Sequence, residues 1–250
     1  MKSKLCFFIL LFYGLYVQAQ EHPDFEKKVR FGIKTGINAS IFTRKVMPTS
    51  TAERSDFSNF NSFVRNSLNA GLTADGRLTE RISLTAELLF NSRGMVYKEK
   101  NNSVTIIDEE GEEQPAYNNF NFNIDYVELP IVINYNFKPS SFRIFLAAYA
   151  GLAPGIAVNS KTKLHYDEGV DGNGREAKNE ILPLKNVKHF NNSLLAGVKL
   201  GDNSPRKINF YADFRLSYTL LPVFSRTVSD NGSNLDTRML TGSVGVGVKF

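Results

Sequence analysis

Lys34, Glu87, Asp213 and Arg215 each sit on the polar side of a stretch that alternates between apolar and polar residues. Counted from the nearest short turns, the four fall at comparable heights. Arg30, Arg77, Arg143 and Lys249 fall lower, and Arg93, Asp125 and Glu128 higher. If these polar sides face a confined interior, the chemistry open to them is ion pairing, because an unpaired buried charge is strongly unfavourable. The expectation is a structural network of Lys34, Glu87, Asp213, Arg215, Arg30, Arg143 and Glu128; a proton or ion path, or a ligand site, is the other use of such charges.

Catalysis needs a nucleophile or base held by partners. The three histidines, His22, His165 and His189, lie before or between the alternating stretches, away from any Ser and acid on a shared face. Acidic pairs could act as acid and base, but pairing with the neighbouring cations accounts for them more simply. A calcium loop is suggested by Asp167–Gly174, yet its third position is Gly169 and its twelfth Lys178, where an EF-hand needs oxygen ligands. The run Asp108–Glu113 reads as a solvated hairpin tip, with divalent-cation contact to lipopolysaccharide as the other use. The reading is therefore no catalytic residue, no cofactor and no metal.

Residues 1–19 look like an export signal. Lys2 and Lys4 precede the apolar run Leu5–Val17, and Val17-Gln18-Ala19 offers a small-residue cleavage site before Gln20. The run is shorter than the ~20 residues a spanning helix needs. Cys6 lies inside it, so the processed chain carries no cysteine and no disulfide chemistry. Loss of the signal leaves 28 basic against 25 acidic residues, evenly interleaved, which speaks against nucleic acid. Residues 20–28 are expected to form a short periplasmic segment.

From Val29 the chain reads VRFGIKTGINASI, with apolar odd and polar even positions. A period of two held this long is a strand with one apolar face, and longer than the ~5–6 residues usual in soluble domains. The pattern returns around Leu68–Leu78, Ile82–Asn91, Phe142–Leu152, Ser193–Leu200, Ile208–Leu220 and Leu240–Phe250. In Phe122–Phe137 the apolar phase switches from even to odd at Tyr126-Val127, where a β-bulge is expected to return both halves to one face. That makes eight strands.

Connections alternate short (Thr79–Arg81, Lys138–Ser141, Gly201–Lys207) and long (Arg44–Asn66, Lys98–Asn121, Asn159–Asn192, Leu221–Arg238). Short periplasmic turns and long outer loops are the asymmetry of an outer-membrane barrel. The fold class is thus all-β, an eight-stranded antiparallel up-and-down transmembrane β-barrel over residues 29–250. A soluble lipocalin-like barrel shows the same alternation with its apolar face inward. Loop asymmetry, strand length and the small or charged polar face favour the membrane form. Tyr135, Phe137, Phe142 and Phe210 near the turns, with Phe42, Phe90, Phe122 and Tyr218 near the loops, are candidate interfacial girdles.

FGIKTGIN at Phe31–Asn38, AELLFNSRG at Ala86–Gly94, YVELPIVINY at Tyr126–Tyr135 and the closing VGVGVKF resemble the outer-membrane β-barrel family of Bacteroidetes, the porin-like relatives of PorT. The resemblance spans Val29–Phe250 and implies the fold more than any activity; the terminal Phe250 resembles a signal for the barrel-assembly machinery. Eight strands enclose only enough room for side chains, so free diffusion of solutes is not expected. The functional expectation is a non-enzymatic outer-membrane protein anchoring surface loops, in contact with outer-membrane lipids and lipopolysaccharide. A transport or secretion accessory and a small lipid-modifying enzyme are the alternatives.

Overall fold

A strand with one apolar and one polar face buries the polar face only where another polar surface meets it. The computed structural model shows how this chain does so. It describes residues 29–44, 47–48, 60–107, 111–137, 144–166, 180–184, 186–202, 208–225, 227–228 and 236–250. The expected signal, the segment 20–28, His22, the calcium-like loop, Phe142 and Arg143 lie outside them.

The strands are β1 (Val29–Phe42), β2 (Met47–Pro48), β3 (Phe60–Arg77), β4 (Ile82–Ile107), β5 (Glu113–Glu128), β6 (Ile131–Asn136), β7 (Ile144–Tyr166), β8 (Glu180–Pro183), β9 (Phe190–Asp202), β10 (Asn209–Thr219), β11 (Thr227–Val228) and β12 (Met239–Lys249). β2 and β11 pair with each other, and β8 adds to the end of β7. The others close a ring. β3, β1, β12, β10, β9, β7, the β5–β6 stave and β4 pair in turn, and β4 returns to β3, every pair antiparallel. β5 and β6 form one stave because their registers against β4 and β7 run on without a shift across Leu129–Pro130. This is an eight-stranded up-and-down barrel.

The registers also give its stagger. From Ser40 the path runs through Thr241, Ser217, Leu195, Gly151, Val132, Thr85 and Asp75 back to β1 at Arg30, a shear of ten residues. With a rise of about 3.3 Å per residue and strands about 4.8 Å apart, the strands tilt by about 40° and the backbone radius is about 8 Å.

Burial runs opposite to that of a soluble barrel. On β1 the apolar Phe31, Ile33 and Ile37 are exposed and the polar Lys34, Asn38 and Ser40 buried. On β10, Phe210, Phe214 and Leu216 are exposed and Asn209, Asp213, Arg215 and Ser217 buried. An apolar exterior around a polar lumen is the surface a bilayer requires and water penalises, which removes the lipocalin alternative. On the β5–β6 stave the outward apolar series runs from Val127 to Phe137; at about 2.5 Å of height per tilted residue this is about 25 Å, the height of a bacterial barrel's apolar band.

Two expectations need correction. Phe122, Ile124 and Tyr126 do not join the lipid face through a bulge in their own strand. They point inward, each almost fully buried, and the register irregularity lies across from them, where Val158 is the additional residue on β7. Parity along β5 is unbroken, so Asp125 faces outward rather than into the lumen. Phe42, like Phe122, belongs to the interior and not to a girdle, whereas Phe90, Tyr135, Phe137 and Phe210 are exposed on the outer wall. The second correction concerns the loops: much of 98–121 continues the β4–β5 ladder to the pair Ile107 and Glu113. The barrel is therefore lopsided. β4 and β7 run 26 and 23 residues, whereas β10 and β12 run 11 each.

Candidate functional site

Inward positions from all eight staves converge on the lumen, and their side chains divide into layers. Near the short turns Lys249 Nζ lies 2.8 Å from Asp75 Oδ2, Thr85 Oγ1 donates to Asp75 Oδ1 at 2.6 Å, and Arg30 Nη1 donates to Asn209 Oδ1 at 3.2 Å.

The next layer holds the densest charge. Glu87 faces three cations: Arg215 Nη2 at 2.8 Å, Lys34 Nζ at 3.7 Å and Lys199 Nζ at 3.8 Å. Asp213 accepts from Lys34, from Arg215 Nη2 at 3.3 Å and from the Tyr149 hydroxyl at 2.5 Å. Arg215 Nε donates to the Tyr149 oxygen at 3.0 Å. Lys199 donates to Asn134 Oδ1 at 3.3 Å and rests 4.8 Å from the Tyr149 ring centre. Side chains here are at most 6% exposed. Charges this far from water have to satisfy one another, and removing one member strands the rest. The aromatic rings pack where glycine leaves room on the neighbouring strand: a Cβ at Gly197 would come within 2.5 Å of the Tyr149 ring, and one at Gly247 within 2.2 Å of Tyr211.

Above this lies an amide chain. Asn69 Nδ2 donates to Asn38 Oδ1 at 2.6 Å, Ser243 Oγ to the same oxygen at 2.8 Å, and Asn38 Nδ2 to Asn91 Oδ1 at 2.6 Å. Asn91 Nδ2 continues to Glu128 Oε2 at 2.7 Å, and that carboxylate also takes Arg93 Nη2 at 2.8 Å. Arg93 Nη1 donates to Ser193 Oγ at 3.3 Å on β9, so the chain crosses the lumen. Between the two layers a cavity of about 10 Å³, lined by Lys34, Asn69, Asn91, Asp213, Arg215 and Ser243, is room for about one water.

The mouth is closed by apolar side chains. Phe42, Met95, Tyr97, Phe122, Ile124, Tyr126 and Met239 from the wall meet Leu184, Val223 and Phe224 from the connections after β8 and β10. Phe224 packs edge-on against Phe42 with ring centres 5.4 Å apart. Backbone bonds lock the connections together: Lys188 N to Val223 O at 2.9 Å, Ser225 N to Asn186 O at 2.7 Å, and Val223 N to Thr237 O at 2.9 Å.

Of the charges singled out from sequence, Lys34, Glu87, Asp213 and Arg215 touch in one cluster. Glu128 pairs with Arg93 one layer up, and Arg30 bonds Asn209 at the base. Sequence reasoning missed Lys199, Tyr149 and Asn134 as members. Lys199 was within reach, since it shares the polar parity of Gly197 on its strand. Tyr149 was within reach in the same way, being odd on a strand whose wall face is even, but an aromatic side chain gives no hint of a place among charges. His165 lies on the outer face of β7, and His189 is exposed between β8 and β9. Among the described residues no group of three or more His, Cys, Asp and Glu is placed to hold a metal ion, and there is no helix long and apolar enough to span a membrane.

The chain is similar in fold to Neisserial surface protein A (10% identity, 90% of this chain and 100% of that one, TM-score 0.40). It is similar also to the outer membrane protein OprG of Pseudomonas aeruginosa (10%, 90% and 97%, TM-score 0.41) and to Ail, the attachment invasion locus protein of Yersinia pestis (11%, 90% and 100%, TM-score 0.37). Likeness at this level carries no inference about activity. No curated protein matches the chain. The family described as outer membrane protein beta-barrel domain matches residues 18–234, most of the chain, and the chain belongs to that family of bacterial outer-membrane barrels.

Proposed function

We propose that this protein is a sealed, non-enzymatic outer-membrane anchor whose extended wall and surface connections do its work, and not a conduit or a lipid-modifying enzyme. One observation carries the reading: the lumen is occluded twice, by the ion cluster around Glu87 and Asp213 and by the apolar mouth around Phe224. The carboxylates in that cluster are held by cations, which leaves them poorly suited to move protons for a substrate. Outer-membrane lipids and lipopolysaccharide are the surroundings this reading requires, and the barrel-assembly machinery its partner during biogenesis. The same reading takes residues 1–19 as a signal removed on export and the Bacteroidetes barrels related to PorT as close kin.

Planar bilayers test it. Purified protein is expected to add no steady conductance above the bare membrane. Reproducible single-channel steps would instead favour the transport or secretion accessory, and hydrolysis of reconstituted lipid would favour the enzyme.

A further inference from the structure

Outward residues of β4, β5 and β7 change character at one level on the tall side of the barrel, with Val96 and, in register with Lys163, Ile181 as apolar neighbours above it. Phe90, Val127 and Val158 end the apolar band, and the outward positions above them are Ser92, Asp125, Asn123 and Asn159. These polar groups are tied together on the outward side of the wall, where Asn159 is exposed and Ser92, Asn123 and Asp125 are covered. Ser92 Oγ donates to Asn123 Oδ1 at 2.8 Å, and Asp125 Oδ2 takes the amides of Asn123 at 3.3 Å and Asn159 at 2.9 Å. Arg65 reaches in from β3, its Nε donating to Asn121 Oδ1 at 2.9 Å and its Nη1 to Ser92 Oγ at 3.3 Å. Its path crosses β4 at Gly94, where an added Cβ would lie 3.2 Å from Arg65 Cδ. On the far side of β5, Lys163 is paired in register with Asn121 and Lys161 with Asn123. No described carboxylate forms an ion pair with either lysine.

The patch therefore carries three cations, Arg65, Lys161 and Lys163, over a floor of fixed amides; one carboxylate, Asp125, sits a rung lower, held by the amides of Asn123 and Asn159 and close enough to Arg65 to offset part of its charge. It stands immediately above an apolar band of membrane height, where lipid headgroups lie. Cations at that depth meet phosphates, and a side chain already fixed by hydrogen bonds loses little freedom in binding one. We propose that Arg65, Lys161 and Lys163 form a binding site for the phosphates of the outer-leaflet glycolipid. The site rests on the reading above, in which the tall wall faces the cell exterior.

The test is native mass spectrometry of the full barrel released in detergent, titrated with lipid A, with its dephosphorylated form and with phosphatidylglycerol. The variants are Lys161→Gln with Lys163→Gln, Arg65→Gln, and Arg81→Gln as a control removing one charge at the opposite end. Two surface cations at the headgroup level are expected to account for about a thirtyfold loss of lipid A affinity in the double variant. The control should bind as wild type does, and dephosphorylated lipid A should bind wild type and double variant alike. Equal lipid A affinity in wild type and double variant would overturn the site, as would equal affinity of wild type for phosphatidylglycerol. Lys163→Cys, probed on intact cells with a membrane-impermeant maleimide, separates the two levels of failure. Labelling without a lipid A effect refutes the site alone, whereas no labelling refutes the outward orientation on which it rests.

Discussion

Glu87→Gln is the perturbation that most directly probes the lumen. The substitution keeps the side chain's shape and removes the one carboxylate near three buried cations, at 2.8, 3.7 and 3.8 Å. Lys34, Lys199 and Arg215 then share Asp213 alone. Breaking a buried ion pair by removing one partner costs about 3–5 kcal/mol. For a domain of this size that lowers the unfolding midpoint by about 6–20 °C. The assay is the heat-induced mobility shift of the detergent-solubilised barrel on unboiled gels, run as a temperature series. A second substitution sharpens it. Lys199 makes its one described hydrogen bond to a neutral amide and is the least firmly paired of the three cations, so Lys199→Met in the Glu87→Gln background should restore about 1 kcal/mol or more. An unchanged midpoint in Glu87→Gln, or strict additivity in the double variant, would refute the idea that these charges hold one another.

Gly197→Ala places a methyl group 2.3 Å from the Phe214 carbonyl oxygen and 2.5 Å from the Tyr149 ring, whose hydroxyl bridges Asp213 and Arg215. It should cost about 1–3 kcal/mol in the same temperature series, and more in wild type than in a Tyr149→Phe background, where the bridge is already gone. Phe214→Arg puts a charge on the outer wall halfway along β10, at a side chain 53% exposed to the bilayer. Urea unfolding from lipid vesicles should show a loss of about 2–4 kcal/mol there, against about 0–1 kcal/mol for Ile208→Arg at the turn end. Equal costs at the two depths would mean that the wall does not face lipid.

Much of this architecture can be read in the sequence because a tilted strand in a bilayer must alternate over its whole length. Counting from the short turns places Lys34, Glu87, Asp213 and Arg215 at similar heights, since those turns all lie at one end of a ring with uniform shear. What escaped were features that need a partner strand to define them. Tyr149 acquires its role from Asp213 and Arg215 and its space from Gly197. The mouth is closed by Leu184, Val223 and Phe224, which sit in connections with no period. The upper β4–β5 ladder escaped because outside the bilayer neither face has to be apolar, so asparagine-rich strands and loops look alike.

The phase break at Tyr126-Val127 is the most informative of the misread signals. Read as an insertion, it calls for a bulge that keeps one face apolar throughout. The unbroken register of β5 and β6 against β4 rules that out. What changes at this level is the environment on both sides of the wall. Below it the outside is lipid and the inside is a charged lumen, so Leu129, Ile131 and Ile133 face out while Glu128 and Asn134 face in. Above it the outward positions of this stave are polar and the inside is the apolar mouth, so Phe122, Ile124 and Tyr126 face in while Asn123 and Asp125, in register with Lys161 and Asn159, take the outer side of the wall. The inversion of phase marks where the bilayer ends on this stave. β4 behaves in the same way, with Phe90 outward just before Ser92, and Met95 and Tyr97 inward above it. For strands that rise past the membrane, a slip of apolar parity with no register shift in the same strand locates the interface directly from the residues.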